Sequence, residues 1–375
     1  MNSPFQYGTL VDKENFVNRV EERKQLKELL GSGINVMLIS PRRWGKSSLV
    51  KVAMDELMHQ DKHIRVCFID AFSIKTEAEF YRVFAREVIT CTASTLQKRL
   101  EDIKQFLKTI SPSITLKSDS SDTLSFDLKF ELEERDVMEI LNLPERIATA
   151  KGIQIIVCID EFQQLALLSG YKNMEGKMRS VWQQQQRVAY CLYGSKRHMM
   201  MEIFNNSSNP FYRFGQVLFL QKIKKEEWIP FITNAFRRTG KEISEEQAGH
   251  LCDIVKCHSW YLQQLCYFIW SGTSGRVTDD IIEVRTRQLI DTNMPMFMND
   301  TENLTAAQTA MLRAVADGES RLNAAAVVQK YELGSAQTIT RNKRILAERD
   351  FIEKEEERYV FSDPVFELWF KRKYC

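Results

Sequence analysis

No part of this 375-residue chain is apolar for long. Runs such as Ile155-Ile156-Val157-Cys158-Ile159 fall far short of the ~18 residues a membrane-crossing helix needs. The first twenty residues mix Asp, Lys, Glu and Arg and lack the apolar core of a secretion signal, which points to the cytoplasm and away from any membrane. A dominant charge is also missing: 52 Lys+Arg against 50 Asp+Glu leave +2, so no bulk field marks a nucleic-acid packer or an acidic tail. The 8 cysteines are scattered without a CxxC pair, and Cys252, Cys257 and His258 do not have zinc-ligand spacing. They read as reduced, mostly buried thiols. Internal repeats are absent. What is present is 44% hydrophobic and 27% charged residues, the balance of a folded chain whose length suits two or three domains.

The first 222 residues alternate short apolar strands with helical patterns. Strands are expected at Ile34–Ile39, Ile64–Ile69, Ile153–Ile159, Val188–Tyr193 and Val217–Leu220, the rhythm of a parallel sheet covered on both faces. Between them, Leu124, Phe126, Leu128, Phe130 and Leu132 alternate with polar residues, which predicts a β-hairpin insertion over about 113–132. Gln183–Gln186 reads as helix surface. Beyond Lys222 the pattern is helical, with capping boxes at Ser244–Gln247 and Thr305–Gln308. Three short helical patterns after 303, then a hairpin near Phe351–Phe361, predict a winged helix.

The sharpest signal is Ser40-Pro41-Arg42-Arg43-Trp44-Gly45-Lys46-Ser47-Ser48, set between a buried strand and a helix. A triphosphate requires inward backbone N–H groups, a helix N-terminus, a mobile cation and a hydroxyl for Mg²⁺. Gly45 lets the backbone approach, Lys46 reaches the β/γ oxygens, and Ser47 is the candidate Mg²⁺ ligand. Ser40 replaces the first glycine of the usual pattern, a cost of ~1–2 kcal/mol only if that position is left-handed. The second signal is Asp160-Glu161, directly after the third strand. There Asp160 suits the Mg²⁺ shell and Glu161 the activation of a water. An isolated acidic strand end capping a helix would look the same; the pairing with the first motif favours nucleotide.

With these motifs the chain resembles the archaeal/bacterial P-loop ATPases of the AAA+/STAND group that end in a winged helix. The resemblance rests on Phe16-Val17-Asn18-Arg19, Pro41 to Leu49, Ile159-Asp160-Glu161-Phe162-Gln163, Tyr193-Gly194-Ser195, Asn209-Pro210-Phe211-Tyr212-Arg213 and Ser362-Asp363-Pro364-Val365-Phe366-Glu367-Leu368-Trp369. It implies an AAA+/ASCE-type α/β ATPase domain (1–222), an α-helical lid (223–302) and a winged helix (303–375). ATP and Mg²⁺ are the implied cofactors. It also implies that Asn18-Arg19 lie near the adenine, that Ser195 senses the γ-phosphate, and that Arg213 is an arginine finger or sensor. The family's lid proline is missing from Cys257-His258-Ser259-Trp260-Tyr261.

Two functions stay open at this level. One is a nucleotide-controlled switch whose winged helix docks an unidentified protein partner. The other is a DNA-binding ATPase similar to replication initiators, with Arg341, Lys343 and Arg344 on duplex DNA. The domain from Asn303 is only slightly basic, and Glu353-Lys354-Glu355-Glu356-Glu357 has the wrong sign for phosphates. Self-association is compatible with either.

Overall fold

The computed structural model describes residues 3–9, 16–17, 19–93 and 134–375. The expected hairpin at 113–132 and the candidate Asn18 lie outside them. The chain divides into two compact units, one of residues 19–221 and one formed by the N-terminal residues with 222–375.

In the first unit α1 (Val20–Gly31) leads to β1 (Val36–Ile39), α2 (Lys46–Gln60), β2 (Ile64–Asp70), α3 (Glu77–Thr92), α4 (Glu134–Lys151), β3 (Gln154–Asp160), α5 (Tyr171–Trp182), β4 (Val188–Gly194), α6 (Arg197–Asn205) and β5 (Gln216–Phe219). All five strands are parallel, in the order β2-β3-β4-β1-β5. Every residue of β1 and β4 is buried, as befits interior strands covered on both faces. The β5 edge is partly exposed. The apolar runs read from the sequence therefore mark the strands well, with ends shifted by one or two residues. The aromatic core beneath the sheet stacks Trp182 on Tyr190, with ring centroids 4.1 Å apart.

The order has a functional consequence. β4 lies between β1 and β3, so the residues that follow three neighbouring strands face one another at the sheet's carboxyl edge. Adjacent strands sit ~4.8 Å apart, so β1 and β3 are ~10 Å apart, a span that facing side chains can bridge.

Gln183–Gln186 is a correction. α5 ends at Trp182, and the glutamines form the connection to β4 instead of a helix surface. No apolar stripe holds them in a helix; Gln185 instead donates to the Leu141 carbonyl and accepts from the Tyr190 hydroxyl.

The second unit is helical: α7 (Lys225–Arg238), α8 (Glu245–Ile254), α9 (Ser259–Gly272), α10 (Asp279–Glu302), α11 (Ala306–Ala316), α12 (Ala325–Tyr331) and α13 (Ala336–Glu348). The hairpin β6 (Ile352–Glu355) and β7 (Arg358–Phe361) and the closing helix α14 (Pro364–Tyr374) follow. Both expected capping boxes are formed. One continuous core runs from Phe5 through the helices to Phe370. Asp363 caps α14, accepting from Val365 and Phe366 N–H, and takes the Tyr261 hydroxyl at 2.5 Å. Glu367 pairs with Lys256 and Lys371. The Ser362–Trp369 motif thus anchors the winged helix to the turn between α8 and α9, where Lys256 and Cys257 are left-handed. His258 is buried in that turn against Tyr261. Among the described residues no helix is long and apolar enough to cross a membrane.

Candidate nucleotide site

The loop from Ser40 to Gly45 turns β1 into α2. Its left-handed residues are Arg43 and Gly45, with φ of 66° and 85°. Ser40 is not among them, so a side chain there carries no conformational penalty. It is fully buried, and its N–H donates to the Gly194 carbonyl, extending the β1–β4 ladder. Gly45 caps α2 without a side-chain acceptor, the kind of helix start that suits an anion. Arg42 and Arg43 are exposed, and Trp44 is half-buried.

Lys46 is buried and points across β4 toward the end of β3. Its Nζ lies 2.5 Å from Glu161 Oε1 and 3.5 Å from Asp160 Oδ1. Ser47 Oγ donates to Asp160 Oδ2 at 2.5 Å. Glu161 has left-handed backbone, φ 50°, a strained conformation of the kind that clusters at functional sites. The neighbouring carboxylate steadies it: Asp160 Oδ1 accepts from Glu161 N–H at 2.8 Å. Glu161 Oε2 accepts from Ser195 Oγ at 2.7 Å and from Gln163 Nε2 at 2.6 Å.

Burial pushes the Asp160 carboxyl above its ordinary pKa, more than the Lys46 charge and the Ser47 hydroxyl draw it back. Burial acts the same way on Glu161, but there the Lys46 charge and the donors from Lys46, Ser195 and Gln163 win, and its pKa is lowered. The Lys46 ammonium thus faces two carboxyl groups whose pKa values are shifted in opposite directions.

Of the residues singled out from sequence, Lys46, Ser47, Asp160, Glu161 and Ser195 converge here. Arg19 does something the sequence did not indicate. Its guanidinium, almost wholly buried, donates to the Trp44 carbonyl at 3.1 Å and the Gln221 carbonyl at 2.9 Å, and pairs with Glu22. It ties the phosphate loop to the two places where the chain enters and leaves this unit. Arg213 is not brought to the cluster. It precedes β5 at the sheet's amino edge, where Phe214 O accepts from Asn35 just before β1, and its exposed guanidinium lies over Tyr212. Gln163 and Gly194 have places that spacing alone did not reveal. A Cβ on Gly194 would lie 1.9 Å from Gln163 Oε1, so only glycine admits that amide.

A parallel sheet with an extra strand between the phosphate-loop strand and the acidic strand, and with a lysine, a hydroxyl and two carboxylates at its carboxyl edge, defines a P-loop ATPase fold of the AAA+ type. The comparisons agree. Residues 16–265 match the family described as an ATPase domain predominantly from Archaea, and the chain belongs to that family. Residues 295–372 match a probable winged helix domain. Among solved structures, the chain is similar to the Walker-type ATPase of Pyrococcus abyssi, with a TM-score of 0.70 at 18% identity over 98% of this chain and 99% of that one. It is also similar to the ORC2 protein of Aeropyrum pernix in its ADPNP–ADP complexes, with a TM-score of 0.59 at 12% identity, again over 98% and 99%. No curated protein matches the sequence.

Proposed function

We propose that the chain binds ATP with Mg²⁺, hydrolyses it slowly, and acts as a nucleotide-controlled switch whose winged helix docks a partner. The observation that carries this reading is the cluster at the carboxyl edge, where Lys46, Ser47, Asp160, Glu161 and Ser195 meet within hydrogen-bond reach. Ser47 Oγ and Asp160 Oδ2, two hard oxygen donors already side by side, suit Mg²⁺, which would supply charge neutralisation at the phosphates. The loop of Pro41 to Ser48 cradles the phosphates by its N–H groups, and Lys46 leaves Glu161 for the β/γ oxygens. Released from Lys46, Glu161 orients the attacking water and takes its proton. Ser195 reads the γ-phosphate. Asn18 and Arg19 lie near the adenine in this reading, with Arg19 steadying the loop. Arg213, at the far edge of its own sheet, is the arginine finger or sensor of this reading, acting within its own chain or on a neighbouring copy. The similar Aeropyrum protein was solved with ADPNP and ADP, which supports a nucleotide here. The division at 222/223 and 302/303 and a cytoplasmic location belong to the same proposal.

A second reading, DNA binding, is favoured by one feature: the helix α13 exposes Gln337, Thr340, Arg341 and Arg344 along one polar side. Lys343 is less available, half-buried beside Tyr359 and Asn323. The test is ATP hydrolysis at low salt with and without duplex DNA, beside Lys46→Ala. Turnover lost with Lys46 supports the ATPase reading. Stimulation by DNA that falls with salt and disappears in Arg341→Ala/Arg344→Ala would move the second reading ahead. Nucleotide affinity unchanged in Lys46→Ala would overturn the site.

A further inference from the structure

Among the described residues the carboxylate of Glu161 has three side-chain partners, and two of them have other work. Lys46 and Ser195 are the groups that a triphosphate draws to itself. Once they turn to phosphate, Oε1 loses its ammonium and Oε2 loses its hydroxyl. The third partner, Gln163, is two residues along in the short 3-10 turn Phe162–Leu167, fully buried, and donates to Oε2 at 2.6 Å.

The cost of placing Gln163 there is visible in the structure. Its Oε1 has no hydrogen-bond partner among the described residues, and such a buried orphan is destabilising by about 1–3 kcal/mol. It lies against Gly194, where the Cβ of any other residue would overlap it. A purely structural position would be better filled by an apolar side chain of the same length. Two departures from good packing, an unsatisfied amide oxygen and an obligatory glycine on the next strand, serve a single contact with Glu161.

We propose that Gln163 is the positioning residue that holds Glu161 for attack after Lys46 and Ser195 have been recruited to the phosphates, with Gly194 providing the space for it. Gln163 touches neither nucleotide nor water in this scheme; it acts through Glu161. The proposal rests on the ATPase reading above.

Gln163→Met keeps the volume and removes the donor. With the full-length protein and Mg·ATP, kcat should fall about tenfold or more, since small misplacements of a reacting group cost that much. The KM for ATP and the affinity for a non-hydrolysable analogue should stay within about twofold, because the phosphate-binding groups are untouched. The melting temperature should not drop, because the orphan oxygen goes with the amide. In a Glu161→Gln background the same change should leave the residual single-turnover rate unmoved, which a general packing defect would not do. Gly194→Ala, which displaces the amide from the other side, should reproduce the kcat loss and serves if Gln163→Met does not fold. An unchanged kcat, or a loss shared equally by affinity, or a further loss in the Glu161→Gln background, would overturn the assignment. Wild-type protein that neither binds nor turns over ATP would instead overturn the ATPase reading itself.

Discussion

Replacing Glu161 by Gln should make the protein bind nucleotide more tightly as well as stop it turning over. The Lys46 ammonium lies 2.5 Å from Glu161 Oε1, with the two side chains 10% and 18% exposed. A phosphate must break that pair before it can use the lysine. Fully exposed pairs are worth up to ~1 kcal/mol, and breaking a fully buried one costs about 3–5. This pair lies between, at about 1–2 kcal/mol. Glutamine keeps the shape and can still accept from Ser195 and Gln163, but it no longer holds the ammonium as an ion. At ~1.4 kcal/mol per tenfold, affinity should rise about 5- to 30-fold. Calorimetric titration with ADP and with a non-hydrolysable triphosphate, each with Mg²⁺, reads this directly. Release of the pair favours both nucleotides alike, whereas relief of repulsion between Glu161 and the γ-phosphate favours only the triphosphate. Affinity for ADP that is equal or weaker in Glu161→Gln would refute the argument that the Lys46–Glu161 ion pair competes with nucleotide.

Two further outcomes concern stability. Glu175, buried in α5, has its pKa raised to about 7 by burial, against the pull of the Tyr171 hydroxyl, Lys172 and the Phe211 N–H. The folded chain therefore keeps a proton that the unfolded chain releases from about pH 4.5 upward, so stability falls as pH rises through about 4.5–7 and levels off above. Glu175→Gln should flatten that slope and raise stability at pH 8 by about 2 kcal/mol after allowance for screening; an unchanged pH slope in urea unfolding would contradict it. Arg19→Lys should destabilise the protein by about 2 kcal/mol, because an ammonium cannot fork to the Trp44 and Gln221 carbonyls and Glu22 together. A urea midpoint equal to the wild type's would show that the bracket carries no weight.

The sequence by itself determined the strands, the phosphate loop, the acidic strand end and the capped helices. These are local features: apolar runs, glycine at a left-handed turn and boxes of two side chains three residues apart all act over a few residues. Ser40 shows the limit in one direction, since only the backbone geometry reveals that the position needs no glycine. Gln183–Gln186 shows it in another, because a polar run carries no apolar face to say whether a helix continues. Tertiary structure alone decided which motif residues meet. Lys46 and Glu161 are 115 positions apart, and what joins them is the placement of β4 between β1 and β3. The same order sets Ser195 beside Glu161, whereas Arg213, which precedes the parallel strand β5, comes to the opposite edge, though all are equally visible as motifs. The roles of Arg19, Gln163 and Gly194 were settled the same way, for a buried guanidinium or amide is defined by the carbonyls, carboxylates and absent Cβ atoms that surround it, and those come from distant parts of the chain.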